Sequence, residues 1–136
     1  MTPTMARGAE AYYQTHVQSR SPLELVVMLY DGALRFCEQA ADAMDKGDMP
    51  AKAVAMSKAL AILSELQSTL NLQEGGDVAR QLDALYTHMN ERLVDANVQR
   101  ASAPIRDVIK LLLPLRDAWA QVAAPVAAGD AGRLTA

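Results

Sequence analysis

Apolar residues recur every three or four positions along four segments of this chain, which is the spacing of amphipathic helices. Residues typical of helix ends bound each segment, and we find no alternating strand pattern. The connections between the segments are short, so neighbouring helices should run antiparallel. We predict an all-α, antiparallel four-helix bundle whose helices cover Pro22–Lys46, Pro50–Asn71, Val78–Ala101 and Ile105–Ala123.

Several helix ends have recognisable capping residues. Ser21 precedes a proline and is followed three positions later by Glu24, which is the pattern of a capping box. Gly47 is suited to end the first helix, and Asp48 can cap the second. Asp77, after a pair of glycines, is predicted to cap the third helix.

Two residues depart from ordinary helix composition. Gly32 lies inside the first helix, where it costs about 1 kcal/mol relative to Ala, so we expect another helix to approach closely there. Pro114 lies inside the fourth helix, where its missing N–H predicts a kink.

The chain divides into a bundle at residues 21–124 and two flanking segments. Residues 1–20 have weak periodicity and are predicted to form a short N-terminal arm, or cap, that is helical in part. Residues 125–136 are rich in Ala and Gly and are predicted to form a flexible C-terminal tail. A single domain is expected for 136 residues.

Composition narrows the class of protein. Hydrophobic residues make up 51% of the chain but aromatic residues only 4%, so the core must consist mainly of Ala, Leu, Val, Ile and Met. The net charge of −3 argues against a nucleic-acid partner, which would need a basic face. We expect no signal peptide and no membrane insertion, because no apolar run approaches the ~20 residues of a membrane span. The single cysteine, Cys37, fits a reducing compartment, and we predict a cytoplasmic protein.

The residues needed for catalysis or metal binding are missing from the sequence pattern. A di-metal bundle site needs Glu-x-x-His motifs on two helices, whereas His88 and Glu91 form one isolated pair in reverse order. One cysteine and two scattered histidines cannot provide a zinc site, and no phosphate-binding glycine loop is present. Cys37 lies on the apolar face of the first helix, which favours inert packing. We therefore expect no enzyme activity, no metal and no cofactor.

A series of short motifs in fixed order resembles the flagellar secretion chaperone FliS family. The resemblance extends from Ala11 to Val122. The motifs are Ala11-Tyr12, Val17, Ser21-Pro22, Leu25-Val26, Met28-Leu29-Tyr30-Asp31-Gly32, Gly47-Asp48, Lys58-Ala59, Ile62, Leu70, Glu74-Gly75-Gly76, Ala79, Leu82, Leu85-Tyr86, Met89, Arg92-Leu93, Ala96-Asn97 and Trp119.

This resemblance implies a four-helix bundle with a short N-terminal helical cap that binds the C-terminal region of flagellin. Binding keeps flagellin monomeric and assists its delivery to the flagellar type III export gate, and family members have also been linked to the anti-sigma factor FlgM. The resemblance also implies that the N-terminal segment lies over part of the flagellin surface in the free protein, and Tyr12 corresponds to the Tyr of that segment. Two positions depart from the family pattern, namely Pro114 and, three places before the Tyr, Ala9.

Eight residues are candidates for contact with the partner or with the cap. They are Tyr12, Val17, Met28, Tyr30, Tyr86, Met89, Leu93 and Asn97. Core packing is an open alternative for Met28, Tyr30, Tyr86 and Met89, because apolar side chains at helical spacing most often belong to a core. For Asn97, together with Arg92, the alternative is a polar link from the third helix to the first.

Two functions from different classes remain open. The first is export of flagellin as a chaperone, with no enzyme activity. The alternative is a self-associating structural bundle without a flagellin client, in which the wide apolar faces of the helices meet in a homo-oligomer.

Overall fold

The computed structural model describes residues 21–124, and all of its regular structure is helical, which confirms the all-α prediction. The predicted cap and tail lie outside the described residues. The four helices are α1 at Pro22–Lys46, α2 at Met49–Ser68, α3 at Gly76–Gln99 and α4 at Ala103–Ala123.

The helices form a ring in which α1 and α3 each pack against both α2 and α4. The diagonal pairs, α1 with α3 and α2 with α4, do not come into close backbone contact. Polar links between neighbouring helices establish their directions. Lys52, near the start of α2, donates to Asn97 near the end of α3, and Arg106, near the start of α4, pairs with Asp45 near the end of α1. Neighbours in the ring are therefore antiparallel, as predicted.

The predicted caps of the first two helices are confirmed. Ser21 Oγ accepts a hydrogen bond from the backbone N–H of Glu24 at 3.1 Å, and Asp48 Oδ1 accepts one from the N–H of Ala51 at 3.1 Å. Gly47 ends α1 in the left-handed conformation with φ 76°, which favours glycine because it has no Cβ. These local signals explain why both ends of α1 agree with the prediction.

The prediction that Asp77 caps the third helix is wrong. The turn before α3 is closed by Asn71, whose Oδ1 accepts from the backbone N–H groups of Gln73 and Glu74, so the helix already begins at Gly76. Asp77 lies in the first turn and instead forms an ion pair with Arg80.

Of the other helix ends, α2 begins one residue before the predicted start, at Met49, and α4 ends at Ala123 as predicted; the rest differ by two or three residues. α2 ends at Ser68, because the hydroxyls of Ser68 and Thr69 donate to backbone carbonyls of the last turn. α3 ends at Gln99, since Arg100 adopts the left-handed conformation at φ 51°. α4 begins at Ala103 and continues through Pro114, which has no N–H to donate to the preceding turn.

Close packing around α1 depends on small side chains. Ala33, Cys37, Ala40 and Ala41 are all fully buried on this helix. Gly32 is buried as well, and a Cβ at that position would lie 3.0 Å from Ile62 Cδ1 on α2. This contact confirms the close helix approach predicted at Gly32.

We predict that Gly32→Val lowers the free energy of unfolding by about 1–3 kcal/mol, because the added methyl groups overpack the contact with Ile62. Urea denaturation measures the effect. Gln39→Val, on the exposed face of the same helix, is the control for intrinsic helix propensity. An Ile62→Ala background should restore part of the loss, and equal stability of the Gly32 and Gln39 variants would contradict the packing argument.

Candidate partner-binding groove

An apolar groove of about 490 Å³ opens at the end of the bundle where α1 and α3 begin and where α2 and α4 end. None of its lining side chains is charged. The lining residues are Pro22, Leu23, Leu25, Val26, Leu29, Leu66, Thr69, Leu70, Asn71, Gly75, Val78, Ala79, Leu82, Tyr86 and Trp119.

Helical spacing brings these residues together. Leu66 and Leu70 on α2, like Val78 and Leu82 on α3, are four positions apart, so each pair lies on one face of its helix. Leu66 is buried, whereas Leu70 and Leu82 are half-buried and Val78 has 66% of its surface exposed at the open end of the bundle.

Gly75 closes the wall between α2 and α3. A Cβ at this position would lie only 2.6 Å from the carbonyl oxygen of Asn71 and 2.6 Å from the Cβ of Ala79. Its N–H donates to that same carbonyl at 2.7 Å. The turn can therefore pack this closely only because residue 75 is a glycine.

A pair of buried tyrosines lies beneath the groove, and of the two only Tyr86 lines it. Tyr30 on α1 and Tyr86 on α3 join these diagonally opposed helices through a hydrogen bond of 2.5 Å between their hydroxyl oxygens. Their ring centroids are 6.5 Å apart with the planes tilted by 49°. Two diagonally opposed helices thus meet through one polar cluster of two hydroxyls beneath the groove.

Both hydroxyls keep their protons at neutral pH. Burial raises the pKa of Tyr30, and hydrogen bonds with Tyr86 and Trp119 oppose this rise. Burial also raises the pKa of Tyr86, and its hydrogen bond with Tyr30 raises that pKa further. The cluster therefore presents neutral donors and acceptors.

Four of the predicted site residues lie in the core. Tyr30, Met89 and Leu93 are fully buried, and Tyr86 is 2% exposed. Of these four, only Tyr86 lines the groove. A direct partner contact for Tyr30, Met89 or Leu93 stays a prediction, and the structure shows their packing role.

Asn97 and Arg92 link to other helices than predicted. Asn97 is exposed, and its Oδ1 accepts from Lys52 Nζ on α2 at 2.8 Å. Arg92 pairs with Asp95 on its own helix and with Asp107 on α4 at 2.6 Å. A link from α3 to α1 at these positions is therefore wrong, because α1 lies diagonally opposite α3 and side chains on the outer edges of α3 reach only α2 and α4.

The remaining predicted site residues are Tyr12, Val17 and Met28. Met28 is half-buried on α1. Tyr12 and Val17 lie outside the described residues.

Sequence reasoning did not select most of the groove residues as site residues. Leu70, Leu82 and Trp119 stand among the family-like motifs and Val78 in the apolar pattern of the third helix, yet none was a site candidate. The signal that could have found them is the continuation of the apolar pattern to the very ends of the helices, where a bundle leaves it uncovered.

The opposite end of the bundle is charged. Ser102 Oγ donates to Asp45 Oδ1 at 2.6 Å, and Arg106 pairs with Asp45 at 2.7 Å. These hydrogen bonds lower the pKa of Asp45.

Within residues 21–124 no group of three or more His, Cys, Asp or Glu side chains is placed to hold a metal ion. No helix there has the length and apolar character needed to cross a membrane.

We predict that stability declines at alkaline pH in two stages. Burial raises the pKa of the Cys37 thiol from 9.0 to about 12, and the pKa values of Tyr30 and Tyr86 are raised above 10.0. Because each group titrates at lower pH in the unfolded chain, its contribution is complete below the unfolded pKa and is lost as pH rises towards the folded pKa. The free energy of unfolding should fall from about pH 9 and more steeply from about pH 10.

Urea denaturation at a series of pH values measures this decline. In Cys37→Ala the onset should move to about pH 10, since only the tyrosines then remain. A variant curve parallel to that of the wild-type chain would contradict the assignment to Cys37.

Comparisons with known proteins show the family of this chain. Residues 5–126 match the model of the family described as flagellar protein FliS. The chain is 34% identical over 122 residues to the flagellar secretion chaperone FliS of Vibrio cholerae, covering 87% of this chain and 90% of that protein. It is 37% identical to the FliS proteins of Salmonella typhimurium, over 86% of this chain and 90% of the relative, and of Bacillus subtilis, over 82% of each. The chain therefore belongs to the FliS family of flagellar secretion chaperones, which are export chaperones and not enzymes.

Proposed function

We propose that this protein is a cytoplasmic export chaperone that binds the C-terminal region of flagellin, prevents its premature polymerisation and assists its delivery to the flagellar type III export apparatus. The observation that carries the proposal is the uncharged groove at one end of the bundle of a FliS family member. The anti-sigma factor FlgM and the export gate are further partners under the same proposal.

The chemistry of the groove suits such a client. A filament subunit must expose apolar faces of amphipathic helices before assembly, and these faces aggregate when uncovered. A groove lined by Leu and Val side chains can cover them, gaining roughly 25 cal/mol for each Å² of apolar surface removed from water. Such covering needs neither a nucleotide nor a metal.

The N-terminal arm is proposed to occupy part of the same surface. Residues 1–20 join the bundle at Ser21, next to Pro22 and Leu23, which line the groove. Val17 is four residues from Ser21 and therefore stays within ~14 Å of it, and Tyr12 stays within ~30 Å. A segment tethered at this distance has a high effective concentration at the groove. Flagellin must then displace the arm.

Val78→Glu tests the groove. Val78 is on the groove lining, where docking of an apolar segment would enclose the new carboxylate without a counter-charge. We expect the affinity for a flagellin C-terminal fragment to fall by about 1–3 kcal/mol, or roughly 5- to 150-fold, in titration calorimetry.

Val98→Glu is the matched control. Val98 is 79% exposed on the same helix, near its opposite end, and it does not line the groove. The control should bind as tightly as the wild-type chain, and equal losses in both variants would argue against the groove.

Gel filtration of the wild-type chain with and without the fragment tests the alternative function. A stable oligomer that is indifferent to the fragment indicates a self-associating structural bundle.

Tyr12→Ala distinguishes a competing arm from a direct flagellin contact. A competing arm predicts unchanged or tighter binding of the fragment together with more self-association, because the competitor is weakened. A direct contact predicts a loss of about 1 kcal/mol or more, as for other interface aromatics. Titration calorimetry gives the sign, and a clear loss of affinity would end the displacement model.

A further inference from the structure

Arg35 on α1 lies over an aromatic ring instead of pairing with a carboxylate. Its guanidinium carbon is 4.9 Å from the centroid of the Phe36 ring, and the ammonium nitrogen of Lys58, on α2, is 5.2 Å from the same centroid. Within residues 21–124 neither cation forms an ion pair. The described arginines that do pair with an aspartate are Arg80, Arg92, Arg106 and Arg116.

The two cations are close to each other and are held in place. Because both lie about 5 Å from one ring centroid, they are at most about 10 Å apart, which is about one Debye length at 0.1 M salt. Like charges at this separation repel, and a carboxylate placed near both relieves the repulsion. The ring attracts both cations, so these long side chains lose less conformational freedom when they bind an anion.

The aspartates of α1 that form ion pairs lie on another side of this helix. Asp31 and Asp45 pair with arginines of α4. Phe36 lies on the side of α2, since Lys58 of that helix shares its ring. The edge between α1 and α2 therefore presents positive charge, although the net charge of the whole chain is −3.

Apolar surface lies beside these cations. Val54 and Ala61 are four positions before and three positions after Lys58, so all three lie on one face of α2. Val54 is 57% exposed, Ala61 is exposed and Phe36 is half-buried. An inorganic anion would meet only the cations and leave this apolar surface in water, whereas a peptide with carboxylates beside apolar side chains covers both.

We propose that a basic patch formed by Arg35, Phe36, Val54, Lys58 and Ala61 is a second docking surface, which binds an acidic and partly apolar peptide segment of another protein. A membrane of anionic lipids fits less well, since a broad surface would also meet the acidic side chains that make the chain negative. None of the five residues lines the groove, so this surface can be occupied while the groove holds a client. The inference therefore goes beyond the proposed function and does not depend on it.

The experiment measures binding of a labelled peptide of repeated Glu and Leu residues to the full-length chain by fluorescence anisotropy at low salt. Arg35→Gln/Lys58→Gln removes both cations of the patch. We expect the dissociation constant to rise by about 3- to 30-fold, since two exposed charge pairs with the peptide are lost.

Arg100→Gln/Lys110→Gln is the matched control. It also removes one exposed arginine and one exposed lysine, so the net charge is the same, but these residues lie at the end of α3 and on α4. The control should change the dissociation constant by less than about twofold, because charges this far from the patch are screened. Circular dichroism shows that both variants are folded.

Two further peptides and a lipid vesicle identify the kind of partner. A peptide of Gln and Leu and a peptide of Glu and Ser should each bind more weakly than the peptide of Glu and Leu. Equal binding of any two peptides, equal effects of the two double variants, or no binding of the Glu and Leu peptide to the wild-type chain would overturn the inference. Binding to phosphatidylserine vesicles that is lost in Arg35→Gln/Lys58→Gln but not in the control would also overturn it, because the patch would then be a membrane contact.

Discussion

The fold depends on the contrast between small and large buried side chains along α1. Towards its C-terminus the buried positions include Cys37, Ala40 and Ala41, so α2 and α4 can approach this helix closely. Near its N-terminus Tyr30 reaches across the bundle to Tyr86 on the diagonally opposed helix. Small residues cannot span that diagonal, and two tyrosines can. The tyrosine pair therefore bridges the bundle at the end where α1 and α3 begin, and the groove lies above it.

Ion pairs at the edges of the helices help to determine which helices pair, and they leave the groove uncharged. Arg106 with Asp45, and Arg92 with Asp107, join neighbouring helices towards the end opposite the groove. Ion pairs this exposed contribute little to stability, because water and salt screen them. Their main effect is on pairing, because they favour one order of helices around the ring. The groove end has an ion pair as well, between Asp77 and Arg80, but no charged side chain lines the groove.

The sequence predictions are accurate where the interactions involved are between residues close together in the chain, and inaccurate where they depend on other helices. Both ends of α1 were predicted correctly, because Ser21 and Gly47 act within one turn of the helix. The start of α3 was not, since Asn71 closes the preceding turn and Gly75 takes the N-cap position, so that Asp77 already lies in the first turn of the helix. The partner helix of Asn97 depends on which helices are diagonal, and no local pattern encodes that. Most of the groove was missed for the same reason: the periodicity predicts which face of a helix is apolar, but not which turns of that face the neighbouring helices leave uncovered.

A groove of this kind can hold an aggregation-prone segment without binding it irreversibly. Apolar contacts are not directional, so they accept many sequences and discriminate weakly between registers. Under our proposal the tethered arm opposes the client, because the measured affinity is the difference between the two occupants of one surface. Capture and release then come from separate parts of the chain: capture from the apolar groove of the bundle, and release from a segment that returns when the client leaves.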